Sequence, residues 1–364
     1  MSGERDEADA GPQRPRDFVL QCPVPLPPGA QVLLGHGSGG KLTQQLIRDV
    51  FVPILGAEAG SELARLGDAA VVEVGGQRLA FTTDAFVVTP AFFPGSNIGE
   101  LAVNGTVNDL AMMGATPLFV SAALILEEGL PLEDLGQVVT AMALACERAG
   151  VALVAGDTKV VERGSADGLF VVTSGVGSVP DGVEIGPERA RPGDRILVSG
   201  PVGSHGVAVM SRRAGIAFEV AELVSDTAPL TGLVRAMLAA GDVRSLRDAT
   251  RGGLASVLNE LAEASGVSMS AEEAAVPVLG PVRAACEMLG LDPLYVANEG
   301  VCVAVVAAED AESVLEAARS DPLGRRAALI GEVGEGPPKV SLKTGLGATR
   351  PLLMLAGDQL PRIC

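Results

Sequence analysis

The chain has 364 residues, of which 48% are hydrophobic, 20% charged and 3% aromatic, with no Trp and a formal net charge of −18. That length suits two α/β domains, and so much apolar content excludes wholesale disorder. The charge argues against nucleic acid, whose binders need Lys and Arg to displace counterions, and against anionic membranes. An anionic ligand such as a nucleotide then requires a metal ion or a nest of backbone N–H groups.

Residues 1–28 are charged and Pro-rich and lack the apolar core of a signal peptide, so 1–30 reads as a flexible extension. From 31 to 182 the pattern is α/β. Leu42, Leu46, Ile47, Val50 and Phe51 repeat at helical spacing after Ser38, and Gly75-Gly76 between two apolar runs marks a hairpin. A small-residue helix is expected near 98–113, a buried strand at LFVSAALIL, an amphipathic helix over 131–149, and strands at VALVAGD and LFVVTSGVGSV. Pro192-Gly193-Asp194 opens a second α/β domain, 183–335. Its helices are expected near 205–214, 230–240, 252–265 and 280–290 and after Asp310, and its strands at 293–297, 301–307 and 327–333. Residues 336–364 read as a loop-like tail. Leu118–Leu126 and Val301–Ala308 fall far short of the ~20 residues of a membrane span. Five widely spaced cysteines without a CxxC pair indicate a reduced, cytoplasmic protein with no zinc site or disulfide framework.

Several segments carry candidate chemistry. In LGHGSGGKLTQQLI, the run Gly37, Ser38, Gly39, Gly40 and Lys41 precedes a helix, where glycines and free N–H groups suit phosphate contact. It is not a Walker A loop, because Leu42 follows Lys41; the alternative is a mobile glycine loop with Ser38 as cap. Asp68, Asp84, Asp109 and Asp157 sit beside strand ends or in a small-residue helix. Oxygen ligands drawn from several elements suit Mg²⁺, although Asp is also common at caps and turns. In DATRGG, Asp248 begins a loop in which Thr250 can cap a helix and Arg251 can meet phosphate. Glu299, in a turn between apolar runs, is a desolvated carboxylate suited to general-base work, or a plain turn residue. Thr158 and Lys159 follow Asp157 with the same two readings open. Cys364 ends a Pro-flanked tail, where a thiol is expected to be accessible; Arg362 favours the thiolate and the terminal carboxylate opposes it. Cys146, Cys286 and Cys302 read as core. His36 and His205 lie in Gly-rich loops, and no spacing supports hydrolysis by a His base.

Taken together, GHGSGGK, TTD, NDLAMMGA, AGDTKVV, DATRGG, NEG and the terminal PRIC resemble the HypE family of hydrogenase maturation factors. That family lies within the superfamily of aminoimidazole ribonucleotide synthetase, thiamine-monophosphate kinase and selenophosphate synthetase. The resemblance covers residues 32–364. It implies a two-domain aminoimidazole ribonucleotide synthetase-like α/β fold, with N-terminal domains pairing into a homodimer and ATP near the interface; the small-residue helix supports that pairing. It also implies that HypF transfers a carbamoyl group to Cys364, that ATP drives dehydration to an S-cyanate, and that cyanide passes to iron on the HypC–HypD complex. Asp68, Asp84, Asp109 and Asp157 are then the Mg²⁺ and phosphate-side carboxylates. Gly37–Lys41, Thr158, Asp248 and Arg251 contact the nucleotide, and Lys159 and Glu299 stand near the substrate amide as base and polariser, in either order. The alternatives are another ATP-dependent kinase or synthetase of the superfamily, or a non-catalytic carrier of a modified thiol. Ser38 in place of a reactive Cys argues against a selenophosphate synthetase.

Overall fold

The computed structural model describes residues 31–55, 61–215, 223–355 and 362–364; the expected extension, with Cys22, lies outside them. After α1 (Lys41–Leu46), the Gly75-Gly76 turn joins β1 (Ala70–Val74) to β2 (Gln77–Phe86), with Val74 opposite Gln77. Then follow α2 (Ile98–Met112), β3 (Thr116–Glu127), α3 (Leu132–Ala149), β4 (Ala152–Val161) and β5 (Leu169–Ser178). Among the described residues these strands form one sheet, ordered β1-β2-β5-β3-β4. Only β3 and β4 run parallel, and α3 makes the crossover that parallel pairing needs. Every second residue of β5, from Leu169 to Gly177, is buried, because α2 covers one face. The opposite face carries Phe81 and Phe119, 48% and 49% exposed.

Helix α2 is capped by Asn97, whose side chain accepts from the Gly99 N–H. The expectation that this small-residue helix packs between subunits is overturned. It is buried within the chain, and its Ala111 and Met112 share a core with Leu197, Leu230 and Met237 of the second domain. Its small side chains admit the sheet: a Cβ on Gly105 would lie 2.7 Å from the Phe86 ring.

The second domain contains β6 (Arg195–Val198), α4 (Ser204–Arg213), α5 (Thr231–Ala240), β7 (Val243–Asp248), α6 (Gly253–Ser265) and β8 (Ser268–Glu272). It continues with α7 (Gly280–Leu289), β9 (Cys302–Val306), α8 (Ala311–Ser320), β10 (Ala328–Gly334), β11 (Lys339–Lys343) and β12 (Thr349–Pro351). The sheet order is β12-β11-β8-β10-β6-β9-β7. Three departures from expectation have physical causes. Strand β7 is hidden in the sequence because Arg244 and Arg247 break its apolar run; both find carboxylates in the fold. Where a strand was expected over 293–297, Pro293–Tyr295 form a 3₁₀ turn, with the Asp292 carboxylate accepting from the Leu294 N–H. Strands β11 and β12 occupy the stretch expected to be loop-like, because Val340 and Leu342 alternate inward and β11 pairs in parallel with β8.

Candidate active site

Four elements converge on a carboxylate cluster between the domains. Asp68 precedes β1, Asp84 lies on β2, Asp109 on α2, and Asp248 ends β7. One oxygen each from Asp68, Asp109 and Asp248 falls within 4.8 Å of the others. The Thr82 hydroxyl donates to Asp109 Oδ2 at 2.7 Å. Arg247 sits 3.4 Å from Asp68 and 2.7 Å from Glu260, an ion-pair bridge that the sequence reading did not anticipate. Burial raises the Asp68 carboxyl to about 6, with Arg247 opposing and Glu260 adding to the rise. Burial and then the charge of Asp84 hold Asp109 well above the usual carboxylate range; burial and then Asp68 do the same for Asp248. Crowded, desolvated carboxylates that cannot all ionise fit a hard divalent cation such as Mg²⁺. Of the expected ligands, Asp68, Asp84 and Asp109 are brought together. Asp248, expected on the nucleotide side, joins them.

These side chains line a cleft of about 770 Å³ whose wall includes Gly39, Thr43 and Arg251. The glycine loop closes on the loop after β7: Arg251 Nη1 donates to the Gly37 carbonyl at 2.9 Å, and the Thr43 hydroxyl accepts from the Gly39 N–H at 3.0 Å. Gly39 has φ +75°, and a Cβ there would lie 2.8 Å from Arg251 Cβ, so only glycine permits this approach. Ser38 Oγ turns back to the Gly35 carbonyl, 2.8 Å away, and the Lys41 N–H donates to the Leu355 carbonyl at 3.0 Å.

The end of the chain docks beside this cleft, next to Arg251 on its wall. Val87 N–H donates to a terminal carboxylate oxygen of Cys364 at 3.3 Å and Thr89 N–H to the Arg362 carbonyl at 3.2 Å, an antiparallel two-rung ladder. Ile363 is buried in the apolar cluster that holds Phe93 and Ile98 of the first domain and Val207 and Val282 of the second. The thiol of Cys364 stands against Glu299 and Arg251. Burial, then the Glu299 charge, push it well above the usual thiol value, with Arg251 opposing. Two expectations are thereby corrected. The thiol is docked and only partly exposed, and Arg362 does not favour its thiolate, because it pairs with Asp167.

Glu299 is 3% exposed, and its Oε1 has no hydrogen-bond partner. Burial and the charges of Asp248 and Asp226 hold its carboxyl well above the usual range, the kind of perturbation that clusters at functional sites. Its N–H donates to Asp226 Oδ1 at 3.0 Å, and Asn108 Nδ2 donates to its carbonyl at 3.2 Å. Neither Asp226 nor Asn108 was singled out from sequence. His205 was passed over too, yet it lies wholly buried in the first turn of α4 and touches the tail. Within one chain, Asp157, Thr158 and Lys159 stand apart from the cluster. They lie on the edge strand β4, where Lys159 pairs with Asp157 at 3.7 Å and its side chain is 74% exposed.

Known proteins share this fold. The family described as AIR synthase related protein matches twice, its N-terminal domain over residues 66–179 and its C-terminal domain over 191–343. Carbamoyl dehydratase HypE of Azotobacter vinelandii is 53% identical over 331 residues, spanning 90% of this chain and 96% of its own. The Escherichia coli HypE is 47% identical over 338 residues, 92% of this chain and 99% of its own. A crystal structure of HypE in complex with ATP matches with a TM-score of 0.77 and 45% identity, covering 92% of this chain and all of the other. A HypE–HypF complex matches with a TM-score of 0.79 and 44% identity, covering 86% of this chain and 99% of the other. With both domains matched and about half of its residues shared with these relatives along nearly their full length, the chain belongs to the HypE family of carbamoyl dehydratases, enzymes of hydrogenase maturation.

Proposed function

We propose that the chain uses ATP to dehydrate a carbamoyl group carried on its own Cys364 sulfur, giving an S-cyanate that supplies the cyanide ligands of [NiFe]-hydrogenase iron. The observation that carries this reading is the docked tail: the Cys364 thiol lies against Glu299 and Arg251, and Asp84 of the carboxylate cleft contributes to its electrostatics. A pure carrier needs no such cleft. Likeness to an ATP complex and to a HypE–HypF complex supports ATP as substrate and HypF as carbamoyl donor. The HypC–HypD complex is the proposed acceptor of the cyano group.

A carboxamide oxygen is a poor leaving group. Transfer of the γ-phosphoryl to it, with loss of one N–H proton, gives an O-phosphorylated imidate. Loss of the second proton and of phosphate leaves the nitrile. Glu299, desolvated beside the sulfur, takes an amide proton. Gly37, Ser38, Gly39, Gly40 and Lys41, with Asp84, Asp248 and Arg251, contact the nucleotide. Asp68, Asp109 and Asp248 hold Mg²⁺, which when bound offsets the phosphate charge in this acidic chain.

Asp157, Thr158 and Lys159 join the site through a homodimer. The support is the open sheet face: Phe81 and Phe119 are half exposed, more apolar surface than a monomer keeps without purpose. Across that face a partner chain brings its own β4 to the cleft. Among the described residues no helix is long and apolar enough to cross a membrane, and the described cysteines are all free, which fits the reducing cytoplasm.

The test is mass spectrometry of the C-terminal peptide. HypF and carbamoyl phosphate add one carbamoyl group to Cys364, and ATP then removes one water. Glu299→Gln is expected to accept the carbamoyl group but to lose water at least about a hundredfold more slowly. A C-terminal peptide of unchanged mass would refute the scheme.

A further inference from the structure

The docked tail presents two carbonyls and the terminal carboxylate of Cys364. The Arg362 carbonyl and a Cys364 carboxylate oxygen accept from the backbone of Thr89 and Val87, and Arg213 Nη2 adds a second donor to the Arg362 carbonyl at 2.7 Å. The Ile363 carbonyl is met instead by a side chain: His205 Nε2 lies 2.8 Å from it. A buried carbonyl left without a donor is strongly unfavourable, so this contact weighs on whether the tail docks.

The ring is built for that role. Its Nδ1 is 2.8 Å from the Ser225 hydroxyl. That oxygen already accepts from the Thr227 N–H at 3.2 Å. The Ile363 carbonyl can only accept, so Nε2 carries the proton, and in the neutral ring Nδ1 accepts the Ser225 proton. The ring is wholly buried and packs edge-on against Phe93 at 5.3 Å between centroids. Burial lowers its ionisation to about 4, which keeps it neutral with one N–H. The same segment, 225–227, contains Asp226, which holds the Glu299 N–H. One stretch of chain thus places both the tail's donor and the base beside the sulfur.

We propose that His205, held in one tautomer by Ser225, is the positioning residue that seats Ile363 and so sets the Cys364 sulfur beside Glu299. The inference rests on Cys364 as acceptor, but its test requires no catalysis. The rate of alkylation of Cys364 by iodoacetamide, read on the C-terminal peptide of the full chain, measures how often the tail leaves. In His205→Phe, which keeps the ring's volume without its donor, that rate is expected to rise roughly tenfold, with ATP binding retained. His205→Gln restores an N–H donor and is expected to return most of the way. In single-turnover assays on carbamoylated protein, the Phe variant is expected to accept carbamoyl normally and dehydrate slowly. An unchanged alkylation rate in a folded His205→Phe chain overturns the proposal. Should that variant not fold, Ser225→Ala decides: a rise of roughly threefold supports the proposal, and an unchanged rate overturns it. A native chain that never forms the S-cyanate would refute the dehydratase reading and leave the alkylation result standing.

Discussion

Asp226 shows how far a fold can move a single carboxyl. Burial raises it to about 7 from an ordinary 3.8, against the hydrogen bond it accepts from the Glu299 N–H. Between those values the folded chain keeps a proton that the unfolded chain has released. Its contribution to stability is therefore full below about pH 4 and is lost as the pH rises to about 7. Asp226→Asn keeps an oxygen for the Glu299 N–H and removes the titration. Urea unfolding is expected to show the native chain losing stability from pH 4 to 7, with the variant at least about 1 kcal/mol more stable than native at pH 7; parallel curves would sink this. Such residues were not legible in the sequence. Cys364, Glu299 and the aspartates stand in short motifs whose residue types already suggest chemistry. His205 and Asp226 sit in polar, loop-like stretches, and their partners lie 158 and 73 residues away.

Elements were legible wherever one period dominated. The Gly75-Gly76 hairpin, α3 and β5 lie where the alternation and the 3.6-residue repeat put them. Strand β7 and the strands after 336 were missed, because ion pairs and a turn-rich composition mask their alternation. Helix α2 was seen as a helix but misjudged in role: small residues permit close packing without saying against what. In the proposed homodimer, the exposed face of β2, β3 and β4 takes the role first given to it. Phe119→Asp, at the middle of that face, is expected to convert a dimer to a monomer at micromolar concentration by light scattering. The substitution is not expected to change the melting transition of the isolated subunit, because the ring packs against no core in one chain. A variant that stays dimeric would move the interface elsewhere.

At the level of the whole molecule, apolar packing ties the domains together. Helix α2 contributes to two cores, and Ile363 is buried in one of them, a cluster drawn from both domains. Removing the last three residues is expected to lower the melting temperature of the nucleotide-free chain by about 2–4 °C, through the lost Ile363 burial. Calorimetry of the truncated chain checks this, and an unchanged transition would show that Ile363 bears no stabilising load. The domain pattern was legible in the Pro192-Gly193-Asp194 turn and the restart of α/β periodicity. The docking of the chain end was not, because composition says only that a Pro-rich end is free to move.

The anchoring of Leu355 sets a limit on where Cys364 can travel. Its carbonyl is held by the Lys41 N–H, which fixes one end of the tether. The nine residues from Ala356 to Cys364, drawn fully straight, span about 30 Å. The sulfur is therefore a tethered cargo with a fixed radius. On the proposed function, an enzyme that loads or unloads it must bring its own catalytic mouth within that radius of Leu355, beside the glycine loop. Lengthening the tether relaxes this demand, while shortening it by three residues withdraws about 10 Å of reach. The geometry of partner docking is thus written into the length of a segment whose composition looks like filler.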